Sequence, residues 1–467
     1  MGSEKNRNSF SGSLGFVLAA AGSAVGLGNI WRFPYLAAKD GGGLFLVTYL
    51  ILVLTFGYAL LTTEVAIGRK TKQSPLTAYS EIKKGWKGLG IVACLVPLLI
   101  MPYYCVIGGW VIKYFVAFLT GDGVKAATDG YFNGFIAEEV WPIVFFAIFL
   151  GASAFVVFRG VNKGIESAAK IIMPILLVLV IGISLFSLTL SHTDAEGVTR
   201  TGLEGLKVYL IPNLDGLTVG KFFTVLVDAM NQLFFSISVA MGIMVAFGSY
   251  VKDEQNLNKS INQIEFCDTL VAVLAGVMII PAVFTFSGAE GLDASGPGLM
   301  FVALPKVFEA MGGIGNIIGC AFFLMVLFAA VTSSVSVMEA VVSSLMDQFH
   351  ISRFKACVIE TVIAGIGGAL VCLGYNKLLF SIKLPNGSTG QILDVLDYIS
   401  NYVMMPLVAL LTCILIGWIV KPRTVIDEVE KNGEKMGRKV LYTIMIKFFV
   451  PIFMVVFLLM AFGLIKL

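Results

Sequence analysis

Apolar residues fill this chain in long runs, separated by short stretches rich in glycine and charge. Read with a bilayer-length window, the runs predict spans at 12 to 38, 42 to 67, 89 to 119, 141 to 158, 164 to 190, 218 to 250, 261 to 286, 313 to 346, 355 to 374, 392 to 419 and 440 to 465. That is eleven spans, expected as helices because a backbone in lipid must satisfy its own N–H and C=O groups. Two of the runs break the pattern. In the first, Gly22, Gly26 and Gly28 loosen the helix where the membrane is thickest, Asn29 adds an amide and Arg32 a cation. In the sixth, polar and small residues from Asn231 to Gly242 interrupt the head of an apolar helix.

These two breaks occupy matching positions in two halves of five spans each. The first span begins inside and the sixth outside, which is the trace of an inverted repeat with a binding site near the bilayer midplane. The fold class expected is therefore an all-α membrane protein with two inverted five-helix repeats, broken helices 1 and 6, and one additional helix. Its divisions fall at 1–11 (cytoplasmic N-terminal segment), 12–190 (first repeat), 191–217 (extracellular loop), 218–419 (second repeat), 420–439 (cytoplasmic loop) and 440–467 (eleventh helix). Taken alone, Ser236, Ser238 and Gly242 also read as small residues at a helix crossing.

Composition agrees with this class. Hydrophobic residues make up 57% of 467 and charged residues 13%, with a mean hydropathy of +0.90; an ordinary soluble protein is excluded. A net charge of +3, with the basic residues in loops, gives no basic face for nucleic acid. The loops beginning at Arg69, Arg159, Lys252, Arg353 and Lys421 hold most of the lysine and arginine. The positive-inside rule then sets the N-terminus in the cytoplasm and, with an odd count, the C-terminus outside. Lys5, Arg7 and the small residues from Ala19 to Ala24 imitate a signal peptide, but the apolar run continues past them and reads as the first span. Cys94, Cys105, Cys267, Cys320, Cys372 and Cys413 lie in apolar runs without close pairing and read as core thiols, giving no disulfide framework or zinc site. His192 and His350 stand far apart, and no enzyme chemistry is expected.

The eighth span carries Thr332, Ser333, Ser334 and Ser336. Membrane hydroxyls commonly bond to their own helix, the reading preferred for Ser334 and Ser336; a hard cation also takes neutral oxygens of this kind. Glu64, Asp268, Glu339, Asp347 and Asp397 are carboxylates in or beside spans, where burial is costly enough to suggest function. Asp347 reads equally as a solvated helix end. Lys39 to Gly43 and Arg159 to Gly164 read as turns.

Several motifs together resemble the neurotransmitter:sodium symporter family, the sodium-coupled carriers of amino acids and amines. They are Ala21 to Pro34, Asp40-Gly41-Gly42-Gly43-Leu44-Phe45, Glu64 to Arg69, Arg159 to Glu166 and Thr332-Ser333-Ser334. The resemblance implies one sodium held by the carbonyls of Gly22, Val25 and Ala329 with the hydroxyls of Thr332 and Ser333. It implies a second held by Ala24, Asn29, Ser236 and Asp268 with the substrate's carboxylate. The family commonly has asparagine where Asp268 stands. Chloride-using members employ positions matching Tyr49, Gln232, Ser236 and Ala272, the last commonly serine. Here Ala272 has no donor and Asp268 brings a fixed negative charge, so transport is expected to be independent of chloride.

Amine carriers of the family have an aspartate at the position of Gly26. Glycine there implies a substrate that brings its own carboxylate, an amino acid. The resemblance implies a substrate site of Ser23, Ala24, Leu27, Gly28, Ile100, Tyr104, Phe235, Ser236, Ser238, Met241, Ser333 and Val337. Met241, where carriers of smaller substrates often have phenylalanine, suggests a bulky apolar or aromatic amino acid such as Tyr, Trp or Leu. By the same resemblance Arg32 and Asp397 gate one side, under a lid of Tyr104 and Phe235, and Arg7, Asp347 and Tyr250 gate the other. Glu64 is expected to accept bonds from unwound backbone near Gly26 and Gly28. A bacterial inner-membrane location is expected. A non-transporting amino-acid sensor on this fold and, less readily, a sodium channel remain open as alternatives, and the sequence assigns no oligomeric state.

Overall fold

The computed structural model describes residues 9–294 and 296–465. The long helices run in chain order as α1 (Ser13–Ala24), α2 (Gly28–Lys39), α3 (Gly43–Thr71), α4 (Lys87–Leu119), α5 (Trp141–Phe158) and α6 (Val161–Leu188). A hairpin of β1 (Ser191–Thr193) and β2 (Thr199–Thr201) leads into α7 (Gly202–Leu210). Then come α8 (Val219–Ser236), α9 (Ile243–Ser249), α10 (Leu257–Ser287), α11 (Gly313–Phe349), α12 (Arg353–Leu373), α13 (Ile392–Ile419), α14 (Arg423–Val429) and α15 (Lys439–Ala461).

Among the described residues, nine helices are long and apolar enough to cross a membrane, and the bent pair α1 and α2 makes a tenth. The sixth expected span is the divided one. Its first half α8 carries Lys221, Asp228, Asn231 and Gln232, and α9 has only 7 residues, so neither half is a plain apolar span. The expected boundaries otherwise agree with the helices to within about a turn.

Both breaks follow from local chemistry. Between α1 and α2 the axis bends by 53°, beginning at Val25, whose ψ of 88° leaves the helical region. The second break occupies 237–242 and lies within the span, not at its head as the sequence suggested. Ser238, Ala240 and Gly242 have φ of 53°, 61° and 73° there. Only the glycine adopts such a backbone freely; each of the other two costs about 1–3 kcal/mol unless its surroundings hold it. They are held. Ser238 Oγ donates to the Ser23 carbonyl at 2.9 Å, and the Ala240 N–H donates to Glu64 Oε1 at 2.7 Å. Glu64 thus serves the break after α8, and not the backbone near Gly26 and Gly28; α3 packs closely on α9, so its carboxylate reaches that break first.

The turn 40–42 lies against α7. A Cβ on Gly42 would stand 2.2 Å from the Val208 carbonyl oxygen, so the turn excludes larger residues. The Arg159 to Gly164 stretch is a turn only at its start: Gly160 has φ of 86°, and Val161 already begins α6 in a widened π-type turn.

At the other end of the bundle the segment before α1 is pinned down. Phe10 is fully buried and packs on Phe16, Phe247 and Tyr250. Ser11 donates its N–H to Glu166 at 2.8 Å. This closes the bundle on the side where α9 ends.

Candidate substrate and ion sites

The two breaks meet between α4 and α11 and enclose a cavity of about 50 Å³. It is lined by Ser23, Gly26, Leu27 and Gly28 of the first break, Ile100, Tyr103 and Tyr104 of α4, Phe235, Ser238 and Met241 around the second, Ile243, and Ser333 and Val337 of α11. Of the residues expected around the substrate, Ala24 and Ser236 stay out of this lining, buried behind it. Tyr103 and Ile243 were not expected. Tyr103 neighbours Tyr104 in sequence, and that aromatic pair in an apolar helix is the signal that could have found it.

On one side of the cavity, Ser333 Oγ lies 3.0 Å from the Ser23 carbonyl, 3.4 Å from that of Val25 and 3.5 Å from that of Gly22. One residue earlier, Thr332 Oγ1 donates to the Ala329 carbonyl at 3.1 Å. A Cβ on Gly22 would come within 3.3 Å of Thr332 Cβ, which shows how closely α1 approaches α11. Gly22, Val25, Ala329, Thr332 and Ser333 therefore form one cluster of neutral oxygens. Ser334 and Ser336 bond to carbonyls of their own helix, and Ser334 also meets Ser153 of α5 at 2.7 Å; both are packing contacts.

A second cluster lies at the start of α2. Asn29 Nδ2 donates to Ser236 Oγ at 3.0 Å and to Asp268 Oδ1 at 2.8 Å. Ser236 donates to Asp268 Oδ2 at 2.8 Å, and the Tyr49 hydroxyl donates to Ser236 at 2.9 Å. All four residues are buried. Gln232 Nε2 donates to the Gly28 carbonyl at 3.1 Å, while its Oε1 is buried with no hydrogen-bond partner. Ala272 is buried and has no polar side-chain atom. The donor set of neutral oxygens and one carboxylate suits a hard monovalent cation.

Above the cavity, a vestibule of about 410 Å³ is lined by Trp31, Arg32, Tyr35, Lys39, Asp228, Asp394, Asp397 and Tyr402 among others. Leu27, Gly28, Tyr103, Tyr104 and Phe235 border both spaces and together form their partition. Arg32 rests 4.8 Å above the centre of the Phe235 ring. Asp397 accepts from Tyr103 at 3.4 Å and from Asn401 at 2.5 Å. Arg32 and Asp397 both face the vestibule without an ion pair between them. Asn401, one turn beyond Asp397, was not anticipated.

Below the cavity, Tyr250 donates to Glu339 Oε1 at 2.5 Å, and Glu339 is held by both arms of Arg353 at 2.6 and 2.9 Å. Asp347 accepts the Ser74 N–H at 2.8 Å. Arg7 lies outside the described residues, so its expected pairing with Asp347 is not visible. The Glu339 to Arg353 pair could have been suspected from a carboxylate in one span and an arginine opening the next.

A broken-helix pair around an enclosed cavity, with oxygen clusters at both unwound segments, is a transporter's arrangement. Residues 7–131 and 136–467 match the model of the sodium:neurotransmitter symporter family. The chain belongs to this family. It is similar to a sodium-dependent transporter of Bacillus subtilis, YhdH, with 32% identity over 99% of this chain and 100% of the relative. It is also similar to a sodium-dependent transporter of Haemophilus influenzae, with 31% identity over 92% of each. Among solved structures it is similar to MhsT in complex with L-phenylalanine, with 33% identity, a TM-score of 0.85, and coverage of 98% of this chain and 100% of MhsT. As a member of this symporter family it is a multi-span membrane transporter and not an enzyme.

Proposed function

We propose that this symporter couples two sodium ions to uptake of a neutral amino acid with a bulky apolar or aromatic side chain, without a requirement for chloride. The observation that carries the reading is at Gly26. A Cβ there would stand 2.8 Å from Ser333 Oγ and 3.3 Å from the Tyr104 hydroxyl, so the position has no room for a carboxylate side chain and the protein brings no charge of its own to the substrate headgroup. The substrate's carboxylate meets the second oxygen cluster and completes the shell of a sodium held by Ala24, Asn29, Ser236 and Asp268. Its ammonium meets the carbonyls freed at 23–25. The first sodium takes Gly22, Val25, Ala329, Thr332 and Ser333.

The side chain lies among Ile100, Tyr104, Phe235, Met241 and Val337. The cavity is narrow in this state, and a large side chain requires Met241 and Phe235 to swing; a thioether with three rotatable bonds does so readily. The phenylalanine bound to MhsT supports an aromatic guest. Asp268 supplies the negative charge that chloride would bring, and the missing donor at Ala272 leaves an anion without a seat.

Transport proceeds by alternating access. Opening on the vestibule side admits sodium and substrate, Arg32 and Asp397 close above the lid of Tyr104 and Phe235, and the Tyr250, Asp347 and Arg7 end then opens. The protein lies in the plasma membrane with its N-terminus in the cytoplasm. Two sodium ions crossing about 100 mV supply roughly 2 × 2.3 kcal/mol from the potential alone, ample to concentrate a zwitterion.

Equilibrium binding to the purified protein tests the substrate class. Labelled phenylalanine or leucine should bind in sodium and not in potassium. Unlabelled tryptophan should compete and tryptamine, which lacks the carboxylate, should not. Competition by tryptamine equal to that by tryptophan would overturn the reading.

A further inference from the structure

One buried acid has no part in this mechanism. Glu360 lies on α12 with no exposed surface, and both of its carboxyl oxygens lack a hydrogen-bond partner. Its titratable neighbours are the thiols of Cys94 and Cys105 on α4 and of Cys357 one turn earlier on α12. The nearest cation along the same helix face is Arg353, seven residues earlier, and both of its arms are spent on Glu339. From α11 the polar neighbour of this cluster is Ser344, bonded to Cys94. The packed helix α5 has no titratable residue, and α13 approaches near Gly374 through Ile392.

An ionised carboxylate in this position would have neither donor nor counter-ion, an arrangement that membrane interiors penalise heavily. A metal ion does not resolve it, since no group of three or more His, Cys, Asp or Glu among the described residues could hold one. A proton does. We propose that Glu360 is a proton-binding site, occupied at neutral pH, whose neutral carboxyl keeps α12 seated on α4. Since α4 also carries Ile100 and Tyr104, loss of this proton at alkaline pH loosens the wall of the substrate cavity from behind.

The neutral isostere Glu360→Gln separates this from a structural role. In infrared spectra of the membrane-reconstituted protein, wild type should show a protonated-carboxyl stretch that Glu360→Gln lacks. Between about pH 7 and about pH 10 the substrate's own ammonium titrates and weakens sodium-dependent phenylalanine binding to both proteins, and wild type should lose roughly threefold or more beyond the loss seen in the variant. An unchanged carboxyl band, or the same alkaline loss in both proteins, would overturn the proposal. Should Glu360→Gln not fold, wild type treated with a hydrophobic carbodiimide decides the matter. The acid O–H adds across a C=N bond, so mass spectrometry finds the adduct on Glu360 if it is protonated and finds none if it is ionised. If phenylalanine proves not to be a ligand, the infrared band and the adduct still decide, so failure of the functional reading is distinguishable.

Discussion

The amide of Asn29 donates to Asp268 across 2.8 Å and ties the start of α2 to α10 inside the bundle. Asn29 also donates to Ser236, and Ser236 donates to Asp268, so the three side chains form one buried cluster. Replacing Asp268 by asparagine keeps the size and removes the charge. The sodium concentration for half-maximal uptake should rise about tenfold, an effect of about 1.4 kcal/mol on ion binding. Uptake measured against sodium concentration checks this, and an unchanged curve would remove Asp268 from the ion's shell.

Gly26 is expected to tolerate nothing larger. Even alanine adds a Cβ at 2.8 Å from Ser333 Oγ, a separation that forces something to move. Gly26→Asp also brings a negative charge against the substrate carboxylate, and uptake of neutral amino acids should fall below detection while the protein stays in the membrane. Uptake assays with surface quantification decide it.

Arg32 and Phe235 form the roof of the cavity, with the guanidinium 4.8 Å above the ring. Removing the cation in Arg32→Ala should lower uptake by up to about thirtyfold while equilibrium substrate binding stays within about threefold, because a contact of this kind contributes about 0.5–2 kcal/mol and the cost falls on closure. Normal uptake by the variant would refute the gate.

Much of this was legible in the sequence because membrane helices announce themselves by length and apolarity, and the glycines before Asn29 announce a break. What was missed depends on which partner lies nearest in space. Glu64 had to accept from an unwound strand, but sequence spacing favoured the first break; packing of α3 on α9 gave it Ala240 instead. The position of the second break was misjudged for a related reason. Ser238 and Ala240 have no intrinsic preference for positive φ, and the bonds they donate to Ser23 and Glu64 hold that backbone. Asn401 was invisible because its partner Tyr103 is distant in the chain and no motif marks it.

Glu64→Ala should expose this dependence as stability. It leaves the buried Ala240 N–H without an acceptor, at a cost of about 1–3 kcal/mol, and lowers the unfolding temperature in detergent. Glu64→Gln keeps an acceptor and should recover most of the loss.

Outside the spans, Asp40 offers a pH signature. Burial, with the nearby Asp228 carboxylate, pushes its acid group up to about 7 against the partial opposition of Lys39. The folded protein thus binds this proton more tightly than the unfolded chain. The contribution is complete below the ordinary carboxyl range and is lost as pH rises through about 7. Thermal unfolding across that interval should show wild type losing stability relative to Asp40→Asn; parallel curves would contradict it.

The central claim, sodium-coupled uptake of a neutral amino acid, is tested most directly by flux into proteoliposomes holding only this protein. With an inward sodium gradient, labelled phenylalanine, tyrosine, tryptophan or leucine should accumulate above its external concentration, collapse when potassium replaces sodium, and persist when gluconate replaces chloride. Accumulation without sodium, or none of any neutral amino acid with it, would contradict the account.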